Sequence, residues 1–236
     1  MTQILLIHGA CHGSWCWRDV IPALEARGHE VQALDMPGRA GDTRDPAGLT
    51  LADQAQTILD VARDGAVLVG HSAGGFSIAA AAEAAPDKVQ HLVFVAALLP
   101  QDGAALGKTM AGFARDTPPA KMVVSPDRAS FSFDPVSAAP LLYNGVSPED
   151  AAWAAAQICY EPSAPHREAI HLGAGFAGVP KSFIRCTEDL MIPPEDQARM
   201  ARAAGAALID MATGHSPFLS QPEELAEHIH RIATPR

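Results

Sequence analysis

The stretch Ala66-Val67-Leu68-Val69-Gly70-His71-Ser72-Ala73-Gly74-Gly75 decides the fold. Its first four residues are an apolar run of strand length, and residues 73–85 are Ala-rich and read as a helix that stops before Pro86. Between them, Gly70-His71-Ser72-Ala73-Gly74 fits G-x-S-x-G, the sharp strand-to-helix turn that exposes a serine hydroxyl. A five-residue pattern carries little by itself; the strand before it and the helix after it give it meaning. Glycine at 70 and 74 removes the Cβ atoms that a tight turn would press together. Ser72 is therefore expected at the carboxyl end of a central strand, where open α/β sheets bind ligands. The helix N-terminus behind it favours developing negative charge.

The same alternation runs outward in both directions. Apolar runs at 4–7, 31–34, 92–95, 182–184 and 207–209 each close on Gly, Pro or a polar residue, as strands buried on both faces of a parallel sheet do. Helical patterns fill the intervals: 15–27 before Gly28, 50–63 with Thr50 and Asp53 spaced as a loose capping box, 195–204 before Gly205, and 222–232 with Pro222 at its first position. Strands alternating with helices predict an α/β fold, a mostly parallel central sheet with helices on both faces and right-handed crossovers. Residues 100–178 break the rhythm. They are rich in Pro and Ser, with one helix at 147–158 and no clear strand. We expect them to form a small inserted helical lid between core halves 1–99 and 179–236, because a connection this long is usually functional.

Composition narrows the function. A chain of 236 residues suits one α/β domain, and 48% hydrophobic residues exclude a disordered class. A net charge of −10 with no Lys/Arg cluster argues against a nucleic-acid or anionic-membrane partner, and no apolar stretch approaches a membrane span. The cysteines at 11, 16, 159 and 186 match no zinc spacing, and no His/Asp/Glu cluster has ligand spacing, so no metal is expected. Unpaired cysteines and the lack of a basic, cleavable leader predict a reduced, cytoplasmic protein. A homodimer is compatible with the sequence.

A serine hydroxyl needs a base. Around such an elbow the parts follow in the order serine, acid, histidine, with the histidine after the last strand. The last strand-like run leads into Ala212-Thr213-Gly214-His215-Ser216, so His215 is the base among ten histidines. The penultimate strand leads into Glu188-Asp189. Asp189 is preferred because Asp is the commoner triad acid, with Asp196 and Asp210 as fallbacks. Its role is to hold the histidine tautomer and stabilise the imidazolium. Backbone N–H groups must meet the developing oxyanion. Ala73, after the serine, is one donor, and Ala10, in the loop His8-Gly9-Ala10-Cys11-His12-Gly13, is the other. His8 and His12 are expected to brace that loop.

With these residues in place, the chain resembles the plant methyl-esterase and hydroxynitrile-lyase family of α/β-hydrolases and its bacterial esterase relatives. The matching pieces are residues 8–13 with Trp15 and Trp17, Asp35-Met36-Pro37-Gly38, residues 70–75, Ser147-Pro148-Glu149-Asp150, Cys186-Thr187-Glu188-Asp189 with Ile192-Pro193, and Gly214-His215. The resemblance supports Asp189 as the acid and implies a helical lid over a hydrophobic pocket and no cofactor. The family's lyases carry Thr where this chain has Gly9, and Lys where it has Ser216. Both positions are thus expected at the substrate pocket, and both favour ester hydrolysis. The lid departs from the plant enzymes between about 102 and 137, so no single plant substrate carries over.

The expected activity is a serine esterase acting on small apolar esters. The alternatives are a lyase, an amide or lactone hydrolase on the same fold, or a non-catalytic receptor. Phe113, Met122, Phe131, Phe133, Leu141, Leu142 and Trp153 are apolar lid residues; they suit an apolar acyl group, although packing the lid onto the body explains most of them.

Overall fold

The computed structural model describes residues 1–39, 41–114 and 118–234. In chain order the elements are β1 (Gln3–Ile7), α1 (Val20–Glu25), β2 (Glu30–Leu34), α2 (Leu51–Leu59), β3 (Ala66–His71), α3 (Gly74–Ala84) and β4 (Val89–Val95). Then come α4 (Leu106–Ala111), β5 (Met122–Val124), β6 (Ser130–Phe133), α5 (Pro135–Leu142), α6 (Pro148–Gln157), β7 (Glu161–Pro162), α7 (Ala164–Arg167) and α8 (Ala174–Gly178). The chain ends with β8 (Lys181–Cys186), α9 (Pro194–Ala203), β9 (Ala207–Met211), α10 (Pro217–Ser220) and α11 (Pro222–Ala233).

Six strands form one sheet in the order β2-β1-β3-β4-β8-β9, and every neighbouring pair is parallel. Burial follows position. Every residue of β3 is buried, whereas the edge strand β9 is half-exposed, so central strands read as unbroken apolar runs. Helix α1 packs on α11, and α3 packs on α2 and α8. Thr50 and Asp53 form a complete reciprocal capping box at the start of α2.

The chain leaves β1 for β2 on one side and returns to β3 on the other, which makes the β1/β3 boundary the switch point of the sheet. Ile7 pairs with Gly70 across it, so the loop after β1 and the elbow after β3 emerge side by side.

Two expectations are corrected. The helix expected over 15–27 is a 3-10 turn at Ser14–Trp17 followed by the short α1. The tight turn sends Trp15 onto Trp153 and Trp17 onto Phe218. The segment between β4 and β8, expected to be helical without strands, also carries an antiparallel sheet β5-β6-β7. Among the described residues no helix is long and apolar enough to cross a membrane.

Candidate active site

Ser72 follows β3 directly and sits at φ +50°, the left-handed region that non-glycine residues seldom occupy. Its N–H donates to the Val95 carbonyl at 3.2 Å, and its own carbonyl accepts from the Leu98 N–H at 2.9 Å. The turn closes so tightly that a Cβ on Gly70 would lie 2.7 Å from the Gly74 carbonyl oxygen, and one on Gly74 2.7 Å from the His8 carbonyl oxygen. Glycine at both positions is thus a packing requirement.

Asp189 and His215 meet as expected from the chain order. His215 Nδ1 lies 2.8 Å from Asp189 Oδ2, and both side chains are fully buried. Asp189 Oδ1 accepts from the backbone N–H groups of Met191 at 2.7 Å and Ile192 at 2.9 Å. Oδ2 also accepts from Gln197 Nε2 at 2.8 Å. The carboxylate is thereby satisfied as an ion and oriented as an acceptor for His215 Nδ1–H. Glu188, its neighbour, is exposed. Asp196 pairs instead with Arg199 on α9, and Asp210 with Arg185 on the neighbouring strand β8. His215 Nε2, the atom that would face a nucleophile, is buried without a hydrogen-bond partner. It borders the same recess as Ser72, together with Gly9, Ala10, His12, His71, Met110, Phe133, Leu142 and Met191. The recess spans about 350 Å³ not filled by atoms, part of it open to solvent. Hydrogen bonds between such partners are commonly long before substrate binds and tighten around it.

The loop after β1 is braced by its histidines. The Gly9 carbonyl accepts from the His12 N–H at 3.3 Å and from His8 Nδ1–H at 2.8 Å. Because a peptide unit is planar and trans, the Ala10 N–H of that unit projects the opposite way. His8 Nε2 in turn accepts from the Met36 N–H at 3.0 Å. His12 Nδ1 donates to the Ala10 carbonyl at 2.9 Å, and its Nε2 accepts from the Tyr143 hydroxyl at 3.0 Å. Burial drives His8 down to about 3 and His12 down to about 4, so both stay neutral and keep these donor and acceptor roles. Ala10 and Ala73 also line an adjoining recess of mixed character, with Arg39, Gln54 and Ser77 beside Met36, Leu51 and Phe76.

The alpha/beta hydrolase family profile matches residues 4–228. The chain belongs to the alpha/beta hydrolase family. Salicylic acid-binding protein 2 of Nicotiana tabacum is 32% identical over 98% of this chain and 96% of its own length. Methylesterase 2 of Arabidopsis thaliana is 32% identical over 98% of this chain and 95% of its own. A solved pyrethroid hydrolase from Sphingobium faniae JZ-2 superposes with a TM-score of 0.85 at 25% identity, covering 98% of this chain and 97% of that one. The expected fold and the resemblance to plant methyl-esterases agree with these relatives.

Within this alpha/beta hydrolase, the two positions expected at the pocket separate. Gly9 lines the Ser72 recess, and a Cβ there would lie 2.8 Å from His71 Nδ1 and 2.9 Å from Ser72 Cβ. Ser216 lies outside the lining of both recesses: it is fully buried and its hydroxyl donates to the Leu142 carbonyl at 2.7 Å. It anchors the His215 loop instead. Of the seven apolar residues singled out between 113 and 153, Phe133 and Leu142 line the Ser72 recess, and Met110 joins them. Met122 is 62% exposed.

Sequence reasoning missed Gln197, which holds Asp189, and Asn144, whose Nδ2 donates to the Glu188 carbonyl at 2.8 Å and whose Oδ1 accepts from the His215 N–H at 3.4 Å. Asn144 thus ties the Glu188–Asp189 loop to the His215 loop. His71 Nε2–H donates to the His215 carbonyl at 2.8 Å and holds that loop from below. Among the described residues no three His, Cys, Asp or Glu side chains converge as a metal-ligand set.

Proposed function

We propose that this chain hydrolyses small carboxylic esters by acyl transfer through Ser72. The observation that carries the reading is the buried Asp189–His215 pair, at 2.8 Å, opening onto the same recess as a serine held in a left-handed turn. His215 Nε2 takes the Ser72 proton as Oγ attacks the ester carbonyl carbon, and Asp189 stabilises the imidazolium. The Ala10 and Ala73 amides hold the oxyanion. Collapse of the tetrahedral intermediate breaks the bond to the alkoxy oxygen, which leaves as alcohol with the proton from His215. Water, deprotonated by His215, then attacks the acyl-enzyme and releases the acid and free Ser72.

The recess lining sets the substrate class. Met110, Phe133, Leu142 and Met191 are apolar and the space is small, which suits compact apolar acyl groups. The relatives named as methylesterases support a small alcohol as leaving group. In this reading residues 100–178 act as the lid over core halves 1–99 and 179–236, and the four free cysteines support a reducing, cytoplasmic setting. A cyanohydrin lyase is disfavoured because, among the described residues, no Lys or Arg lines the Ser72 recess and Gly9 has no room for a larger side chain.

The test is hydrolysis of methyl, p-nitrophenyl and naphthyl esters by wild type and Ser72→Ala. Turnover by wild type, a loss of at least about 10³-fold in Ser72→Ala and labelling of Ser72 by a phosphonate support the reading. Wild-type rates in Ser72→Ala overturn it.

A further inference from the structure

One buried ionic cluster is not used by the acyl-transfer steps. Arg39, in the loop after β2, pairs with Glu161 on β7, and the two side chains are 6% and 3% exposed. Glu161 Oε1 lies 3.0 Å from His166 Nε2. Burial pushes the Glu161 carboxyl up, but Arg39 and His166 outweigh it and hold it well below the usual carboxylate range. Burying such a pair is a poor source of stability, since the loss of hydration offsets the attraction.

The remaining contacts of the cluster converge on the two residues after Ala10. Glu161 Oε2 accepts from the Cys11 N–H at 3.0 Å. Arg39 Nε donates to the His12 carbonyl at 2.7 Å. The Cys159 N–H, from the same segment as Glu161, donates to the Cys11 carbonyl at 3.0 Å. Cys11 needs this support, because it sits at φ +61°, a conformation that persists in a non-glycine residue only where its surroundings impose it. The peptide unit between Ala10 and Cys11 is held at both ends, its carbonyl by His12 Nδ1 and its N–H by Glu161.

We propose that Glu161 and Arg39 are positioning residues that aim the Ala10 N–H at the oxyanion. The inference rests on the ester-hydrolase reading above. It also couples two parts of the molecule. Glu161 pairs with Phe131 in the β6–β7 ladder, and Phe133 of the same β6 lines the Ser72 recess. The ribbon that walls the recess therefore also sets the oxyanion donor, so the site is complete only with that ribbon docked.

The experiment compares two neutral pairs. Arg39→Met with Glu161→Leu removes both charges and the acceptor for the Cys11 N–H. Arg39→Met with Glu161→Gln removes the charges and keeps an acceptor oxygen. Kinetics on p-nitrophenyl acetate are normalised to phosphonate-titrated active sites, with thermal melting alongside. Loss of one oxyanion donor costs about 10²–10³ in kcat, so the Leu variant should lose about 10²-fold in kcat with KM within about twofold. The Gln variant should recover about tenfold of that loss. Arg39→Lys keeps the ion pair but cannot span Glu161 and His12 as a fork; it should lose about tenfold in kcat at unchanged melting temperature. If the Leu variant keeps kcat within about twofold of wild type, or the Gln variant is no faster than the Leu variant, the proposal is overturned. If neither double variant folds, Arg39→Lys decides, and an unchanged kcat there overturns it. An inactive wild type would instead refute the ester-hydrolase reading.

Discussion

Lowering the pH from 7 to 5 should remove much of this enzyme's stability, because its site is built on buried neutral histidines. Burial, helped by the Arg39 charge, holds His8 down at about 3. Burial also holds His12 at about 4, and burial with the nearby His215 and His12 holds His71 well below its ordinary value. Each is a base with a depressed folded-state pKa, so the unfolded chain takes up the proton first. The stabilisation is complete above about pH 6.5 and is lost as pH falls through 6.5 toward the folded-state values. At pH 5 each such histidine has cost about 2 kcal/mol, and the three together about 6 kcal/mol. A domain's whole margin is about 5–15 kcal/mol. The carboxylates act in the same direction but at lower pH. Asp42, held low by its hydrogen bonds with Arg44, and Glu161, held low by Arg39 against burial, lose stability only as pH falls below about 4.5, so they add little to the histidine effect at pH 5. Urea unfolding followed by far-UV circular dichroism at pH 7.5, 6, 5.5 and 5 would measure it. The slope near pH 5.5 should approach about 4 kcal/mol per pH unit, corresponding to nearly three protons. A slope below about 1.4 kcal/mol per unit, less than one proton, would refute the assignment of these side chains as buried and neutral.

Other perturbations test the site and its scaffold. Gly9→Thr places a side chain 2.8 Å from His71 Nδ1 and 2.9 Å from Ser72 Cβ; esterase kcat should fall by at least about 10²-fold through displacement of the nucleophile, and no cyanohydrin cleavage should appear. Gln197→Met strips one hydrogen bond from Asp189 and leaves the Cys186 N–H and Ile192 carbonyl without their side-chain partner. Urea unfolding should show a loss of about 2 kcal/mol, and steady-state assay a fall of about tenfold in kcat. Thr50→Ala removes the capping box of α2; it should cost about 1 kcal/mol and lower the melting temperature by about 2–4 °C, with ester turnover per active site unchanged.

What could be read from the chain is what lies close together in it. The elbow packs strand, turn, nucleophile and helix into residues 66–75. The capping box spans only Thr50 to Asp53. Asp189 and Glu188 could not be separated by spacing, because both follow the end of β8 within three residues and a one-residue difference on a turn does not fix which one faces inward. Burial separates them: four donors converge on Asp189, while Glu188 faces outward. The strands β5 to β7 span two to four residues each. That is too short for an alternating pattern to register, and Pro162 ends the last of them. Ser216 is expected at the pocket because the resembling lyases carry Lys at that position beside His215. Its hydroxyl is turned to the Leu142 carbonyl, a partner 74 residues away that adjacency to His215 cannot reveal.

The distribution of supporting residues follows from the sheet order. The Ser72 turn and the loop at 8–13 leave neighbouring strands β3 and β1, at paired residues Gly70 and Ile7, so topology alone brings the proposed nucleophile and oxyanion donor together. Asp189 and His215, the proposed acid and base, follow β8 and β9, with β4 standing between β8 and the Ser72 strand. The His215 loop must therefore reach back across the sheet, and backbone geometry does not dictate its path. Side chains hold it there. His71 binds the His215 carbonyl and Asn144 its N–H. Ser216 binds Leu142, and Phe218 lies edge-on to His71 with ring centres 4.8 Å apart. Two of these anchors, Asn144 and Leu142, belong to the segment between β4 and β8, as does Glu161 on the oxyanion side. That segment thus holds both halves of the site. Substitutions at Asn144 and Glu161 should alter kcat even though neither side chain lines the Ser72 recess, whereas exposed changes in β5, such as at Met122, should leave it unaltered.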